Sequence, residues 1–408
     1  MAMKLALCYL KVTNLGDLVI YDTAHYLVGR ILRDLGRDDV EIVPVDIGLE
    51  GATLGGRLRR GFVKSMIGLA RGMVRGVKRC IPGTWFLRWQ WRRLPAYRRY
   101  ALCERPKLLD ADLIVFAGGG LVKFHRQNYH FFVDDITALA EARGVPVLFN
   151  AVGIEGYDAG NGECRLLKRA LNRPCVKAIT TRDDLAMLRD SYVENPAIDV
   201  RAVCDPAFWT AETYGVRRCA KTPRTIGLNV IRPEIFAEYG QGVSRGRLTR
   251  LYAEVVGSLV SKGWHVELFS NGVAADSDFI GHLFSSCPQL KGNPLVSVAF
   301  PATAEEFVRT IAGYERFMAV RLHSSIVGTV LGIPNVSLVW NRKQPFFGKQ
   351  VGMPENYIER DGFDAANVVE RLWAAKPYEM DAGYKDTVLA SLRDGLSRWL
   401  PERGGVHR

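Results

Sequence analysis

Arg321 and His323 stand two residues apart in the stretch FMAVRLHSSIVGTVLGIPNVSLVWNRK, which covers residues 317–343. An arginine carries a fixed, planar positive charge that grips carboxylate or phosphate oxygens in pairs. A histidine titrates near neutrality and is able to hand over a proton. Together they suit an anionic ligand that needs a proton moved. A second arginine, Arg182, is followed at once by Asp183 and Asp184. Acids suit a helix N-terminus and a cation does not. Arg182 therefore either holds an anion or pairs with one of those acids. His125, in the polar run KFHRQNYH, is a second candidate for acid–base work or phosphate contact. No metal-ligand spacing is visible among these residues.

The elements around them must bring them to one place. Residues 317–320 read as a short buried strand, and residues 324–331 as an apolar helix. Gly332 ends that helix and Pro334 keeps it from resuming. Residues 335–340 form a second apolar strand. In an open α/β sheet, ligands bind just past the carboxyl ends of strands, beside helix N-termini. That is where Arg321 and His323 fall. The same rhythm opens the chain. Residues 5–10 read as a strand, and Ile20, Ala24, Leu27, Val28 and Ile31 recur at helical spacing. Between them lie Asn14, Gly16 and Asp17, where Gly16 admits a ligand to the backbone and Asp17 caps the helix. A strand over 108–116 leads into Gly118, Gly119 and Gly120, which also allow close backbone approach. The full dinucleotide fingerprint is missing, so these glycines do not argue for a nicotinamide cofactor.

Further strands are predicted at 40–45, 146–150, 177–180, 200–203, 225–230 and 265–270. Further helices are predicted at 132–142, 163–171, 247–262, 276–284 and 304–312. The tail, 364–400, reads as helical, and the polar run 217–224 as a linker. The pattern predicts an α/β chain with two Rossmann-like domains facing a cleft. The boundaries are an N-terminal domain over 1–216, a C-terminal domain over 225–365 and a helical tail over 366–408.

Charge is unevenly spread. The chain has 408 residues and a formal net charge of +12. Residues 51–103 hold thirteen Lys and Arg and no Asp or Glu. The basicity therefore belongs to one insertion, residues 51–105, in the first domain. Trp85, Phe86, Trp89, Trp91, Tyr97 and Tyr100 lie among the charges, a mixture suited to an anionic membrane surface or to a solvated insertion packed on its own domain. The eight cysteines form no C-x-x-C pair and read as reduced thiols of a cytosolic protein. The opening MAMKLALCYLKV reads as a first strand and not a signal peptide, and no apolar run is long enough to span a membrane.

The motifs share an order. Asn14-x-Gly16-Asp17 follows the first strand, and Gly118-Gly119-Gly120 follows an Asp-Leu-Ile-Val strand. Arg182-Asp183 starts a helix, and Arg321-Leu322-His323-Ser324 is followed by Gly332-x-Pro334 and then Lys343. In this the chain resembles the polysaccharide pyruvyl transferases. The segment after Gly153 departs from the resemblance, reading IEG where a proline-containing turn is expected. The basic insertion is no part of the motif set. The resemblance implies a glycosyltransferase-B-like fold. It implies transfer of a pyruvyl group from phosphoenolpyruvate to two hydroxyls of a sugar in a cell-surface polysaccharide or its lipid-linked precursor, giving a ketal and phosphate. It also implies His323 as general acid and Arg182 and Arg321 as anion clamps. By the same resemblance Asn14, Gly16, Asp17, Gly118, Gly119, Gly120, His125, Ser324 and Lys343 are expected to line the substrates. Phosphoenolpyruvate is the implied donor substrate, and no cofactor or metal is expected. With acceptors built at a membrane, residues 51–105 are expected to hold a cytoplasmic enzyme to the inner membrane face, and nucleic acid is not an expected partner. Two other readings remain. One is a nucleotide-sugar-dependent glycosyltransferase of the same fold type, for which no paired-glutamate signature appears in the second half. The other is a non-catalytic membrane-binding protein, against which the grouping of Arg182, Arg321 and His323 argues.

Overall fold

The computed structural model describes residues 2–11, 14–48, 88, 91–92, 95–124, 129–221 and 223–402. These form two compact α/β units. The first comprises Met1–Val12, Val28–Val203 and Val388–Arg408, and the second Thr13–Leu27 and Cys204–Thr387.

The sheet of the first unit contains β1 (Met3–Tyr9), β2 (Val40–Asp46), β3 (Leu113–Phe116), β4 (Gly119–Val122), β5 (Val147–Ile154), β6 (Val176–Thr181) and β7 (Asp199–Ala202). The strand order is β2-β1-β3-β5-β6-β7, with β4 paired to β5, and every pairing is parallel. β3 and β5 are buried along their whole length, as strands covered on both faces must be. The sequence runs α1 (Leu15–Asp34), α2 (Tyr129–Arg143) and α3 (Gly162–Leu171) between strands. Asn161 caps α3 by accepting from the backbone N–H groups of Glu163 and Cys164. The chain order reverses direction between β1 and β3, which is the switch point of this sheet.

The second unit holds β8 (Thr225–Asn229), β9 (His265–Phe269), β10 (Val296–Ala299), β11 (Arg316–Ala319), β12 (Asn335–Leu338) and β13 (Tyr357–Ile358). They run in the order β10-β9-β8-β11-β12-β13, all parallel. Counted within the unit this is 3-2-1-4-5-6, the Rossmann order, and its switch point lies between β8 and β11. The connecting helices are α4 (Arg245–Val260), α5 (Ala274–Ser286), α6 (Ala304–Ala312), α7 (Leu322–Val330) and α8 (Lys343–Gln350), followed by α9 (Ala365–Ala374) and α10 (Ala382–Trp399). α7 lies so close to β11 that a Cβ on Gly328 would sit 2.2 Å from the Phe317 ring, so only glycine fits there. Gly332 takes φ +66° just after α7 and stops it as expected.

Several local expectations differ from what the chain does. The strand expected over 108–116 begins only at Leu113, because Arg105–Leu108 turns as a short 3-10 helix around Pro106. The glycine-rich loop after it becomes β4. β10 and β13 are short strands that periodicity did not announce. The expected boundaries, 216/225 and 365/366, do not coincide with the two units. The run 217–224 is tied into the second unit by backbone bonds from Cys219 N–H to the Ala312 carbonyl and from Lys221 N–H to the Gly313 carbonyl, and by an ion pair of Lys221 with Glu267. The tail forms no separate body. α9 packs on α4, and the last part of α10 puts Val388, Leu392 and Leu396 into buried positions of the first unit.

Most of the basic segment, with Trp85, Phe86 and Trp89, lies outside the described residues. Two aromatics of the described part are core residues. Trp91 is 3% exposed and stacks on Phe131 with ring centroids 5.1 Å apart, and Tyr100 is fully buried. Arg88 makes a two-pronged contact with Asp134 at 2.6 and 2.7 Å. Among the described residues no helix is long and apolar enough to cross a membrane.

Candidate active site

In the second unit, the chemistry-bearing residues collect at the switch point. Arg321 follows β11 in an extended conformation and precedes the first turn of α7, which carries His323. What fixes this turn is Asn229, the last residue of β8. Its Oδ1 accepts from the backbone N–H of Val320 at 3.2 Å and of Arg321 at 3.0 Å. Its Nδ2 donates to Oδ1 of Asn271, just past β9, at 2.9 Å. The Ser324 hydroxyl lies 2.8 Å from Asn271 Oδ1 and 3.1 Å from Asn229 Oδ1. Asn229, Asn271 and Ser324 are all 0% exposed. Buried polar groups cost free energy unless they are paired. The two asparagines and the serine therefore make a rigid bracket across three strand ends. Ser324 was expected to line the substrate; instead its hydroxyl is consumed by the bracket.

The N-terminal motif joins this cluster. Leu15 N–H donates to the Asn271 carbonyl at 2.9 Å, and Asn14 Nδ2 donates to Asp17 Oδ2 at 2.9 Å. The other oxygen of Asp17, Oδ1, stands 3.8 Å from His323 Nδ1. Asp17 thus places a carboxylate beside the imidazole of His323. Gly16 has a task other than the one expected. A Cβ there would lie 2.3 Å from the His323 Cβ, so the missing side chain makes room for the histidine. His323 is 7% exposed.

Arg321 is held from the side. Its Nε donates to Asp276 Oδ2 at 2.6 Å, and Asp276 is 0% exposed. The other oxygen of Asp276 accepts from the Arg232 backbone N–H at 2.9 Å. Asp276, Asn229 and Asn271 were not found from the sequence. Asp276 read as a helix-start acid, and Asn229 as the end of an apolar strand. A polar residue at the carboxyl end of a parallel strand was the available signal. Lys343 starts α8, half-buried, with its N–H on Asn341 Oδ1 at 3.0 Å.

The remaining expected site residues belong to the first unit. Gly118, just before β4, and Gly119, its first residue, take φ of +109° and +85° at that sheet's switch point. Gly120 lies within β4. Arg182 follows β6 and is 5% exposed. The acids beside it have backbone tasks. Asp183 accepts from Ile154 N–H at 2.8 Å, and Asp184 caps the next turn through Met187 N–H at 3.0 Å. Ala151, in the middle of β5, has φ +47°, a strained value for a residue with a side chain. His125 lies outside the described residues. Among the described residues no three His, Cys, Asp or Glu side chains gather as a metal site.

Two parallel Rossmann-type sheets, one with Arg321 and His323 at its switch point, define a glycosyltransferase-B-type α/β protein. Solved structures agree on the fold. UDP-GlcNAc 2-epimerase from Methanocaldococcus jannaschii superposes with a TM-score of 0.54 at 13% identity, covering 96% of this chain and 99% of that one. The UDP-GlcNAc 2-epimerase from Neisseria meningitidis bound to UDP-GlcNAc gives 0.53 at 9% identity, covering 97% and 100%. No curated protein sequence matches the chain. The family model for polysaccharide pyruvyl transferases matches residues 14–342, and the chain belongs to that family.

Proposed function

We propose that the protein transfers a pyruvyl group from phosphoenolpyruvate to two hydroxyls of one sugar, in a cell-surface polysaccharide or its lipid-linked precursor. The observation that carries this reading is the pairing of Arg321 and His323 on one braced turn at the switch point of the second unit. Phosphoenolpyruvate carries a carboxylate and a phosphate, and the Arg321 guanidinium grips such oxygens in pairs. His323 gives a proton to the methylene carbon, which becomes a methyl group. Positive charge then develops on the carbon bearing the phosphate. A sugar hydroxyl adds to that carbon and loses its proton. Phosphate leaves with the C–O bonding pair, and a second hydroxyl closes the ring and loses its proton in turn. The products are a pyruvate ketal and inorganic phosphate, with no redox change and no cofactor called upon. Asp17 lies 3.8 Å from His323 Nδ1, beside the ring that gives up the proton. The part of Arg182 as a second clamp rests on the resemblance alone.

The test is donor use. With phosphoenolpyruvate and a sugar bearing two suitably placed hydroxyls, the purified protein is expected to release phosphate and to add a ketal visible by mass spectrometry. Release of a nucleoside diphosphate from a nucleotide sugar, with no phosphate from phosphoenolpyruvate, would instead establish a nucleotide-sugar glycosyltransferase.

Residues 51–105 extend the proposal to the acceptor. Thirteen cations without an acid over residues 51–103 suit the anionic cytoplasmic face of a membrane, where each contributes about 1 kcal/mol. The protein is expected to sediment with anionic vesicles and to come off as salt rises, since screening acts within about 10 Å at 0.1 M. Equal binding to neutral vesicles, or binding to neither, removes the membrane from the proposal.

A further inference from the structure

Arg321 raises a problem that Asp276 answers. A guanidinium meant to bind an anion is placed against a fully buried carboxylate, which neutralises part of its charge. For affinity alone that is a poor choice, since Asp276 repels the same anion that Arg321 attracts. The contact has a particular geometry, however. Asp276 takes the Nε side of the guanidinium, and the two terminal nitrogens, Nη1 and Nη2, donate to nothing among the described residues. Arg321 is 14% exposed at its side chain, so that outer edge stays reachable.

Asp276 is itself immobile. It lies in the first turn of α5, and its two oxygens are spent on two different donors, Arg321 Nε at 2.6 Å and Arg232 N–H at 2.9 Å. The backbone of Arg321 is pinned separately by Asn229 at 3.0 Å. A flexible side chain is thus fixed at both ends, backbone and guanidinium. What remains free is one planar edge with two parallel N–H groups, the shape that meets two oxygens of one carboxylate or phosphate.

We propose that Asp276 is a positioning residue for pyruvyl transfer, which aims the Arg321 fork so that the donor's methylene carbon is presented to His323. This rests on the reading of Arg321 as the donor clamp. Two opposed effects set what its loss does. Removing the carboxylate takes a negative charge away from the bound anion, which strengthens binding. It also frees the guanidinium to swing, which loosens the bound donor. These oppose each other in donor KM, whereas misalignment acts on turnover alone, and a misplacement of about 1 Å costs roughly 100-fold.

The experiment is a double-mutant cycle in the full chain, with kcat and donor KM measured for Asp276→Ala, Arg321→Ala and the pair. Asp276→Ala is expected to lower kcat roughly 100-fold with donor KM within about threefold. In the Arg321→Ala background the same change is expected to lower kcat no further, because there is no fork left to aim. Asp276→Asn is the second variant if the alanine form folds poorly. It keeps the size but offers one acceptor where two N–H groups need one each, so kcat falls here too. An equal fall in kcat in both backgrounds would show a general structural role and overturn the proposal. So would an unchanged kcat for both single variants of Asp276. If Arg321→Ala itself leaves kcat and donor KM unchanged, the donor clamp lies elsewhere and both readings fall together.

Discussion

His323→Ala is expected to lower turnover roughly 100-fold or more, the loss typical of a removed general acid, with donor affinity falling far less. The separation follows from the site. In the proposed reaction His323 serves the reacting carbon and Arg321 the anion, and the Arg321 backbone rests on Asn229 and its side chain on Asp276. None of those contacts passes through the imidazole. The substitution also opens space beside Gly16, because the two residues are in van der Waals contact. His323→Gln therefore serves as a control of similar size that cannot act as an acid near neutrality. Steady-state kinetics checks the pair. Turnover close to that of the unaltered protein in both variants would place the acid elsewhere, with His125 next in line.

Arg321→Ala is expected to weaken phosphoenolpyruvate binding by about 1.5–3 kcal/mol, the value of a charge-assisted contact. Calorimetric titration reads this directly, and unchanged affinity would remove Arg321 from the site. The variant has a second consequence. It leaves the Asp276 carboxylate, 0% exposed, without its counter-charge. Breaking a buried pair from one side costs about 3–5 kcal/mol of stability. A melting curve must therefore accompany the titration, so that lost binding is not confused with lost fold. Arg182→Ala is the companion variant, in the other unit. Asp183 and Asp184 beside it carry backbone bonds that its removal leaves intact.

The comparison of Gly16 with Asp184 shows how far the sequence could be followed. Asp184 was expected at a helix start and caps one, because capping needs only a side-chain oxygen and a backbone N–H three residues on. Both partners are local. Gly16 was expected to admit a ligand, and it admits His323, more than 300 residues away in the chain. Spacing along the chain says that something approaches a glycine, not what approaches it. Trp91 and Tyr100 make the same point: composition marks them as aromatic among charges, and the tertiary structure places these two in the core of the first unit.

The sequence by itself determined most of the alternation of strands and helices and the place of Arg321 and His323 just past one strand. Each depends on periods of two or 3.6 residues and on glycine or proline stops, which are written locally. The tertiary structure alone decided which groups hold those two side chains. Asn229 reaches Arg321 across 92 residues and Asp276 reaches it across 45. Strand order brings them together, setting the first strand of the unit beside the fourth and opening the switch point between them. It decided as well that residues 13–27 join the second unit, so that Asp17 stands beside His323. A hydrogen bond between distant side chains leaves no period in the sequence. It exists only once the strands are laid side by side, and that is why the positions of His323 and Arg321 were legible and their supports were not.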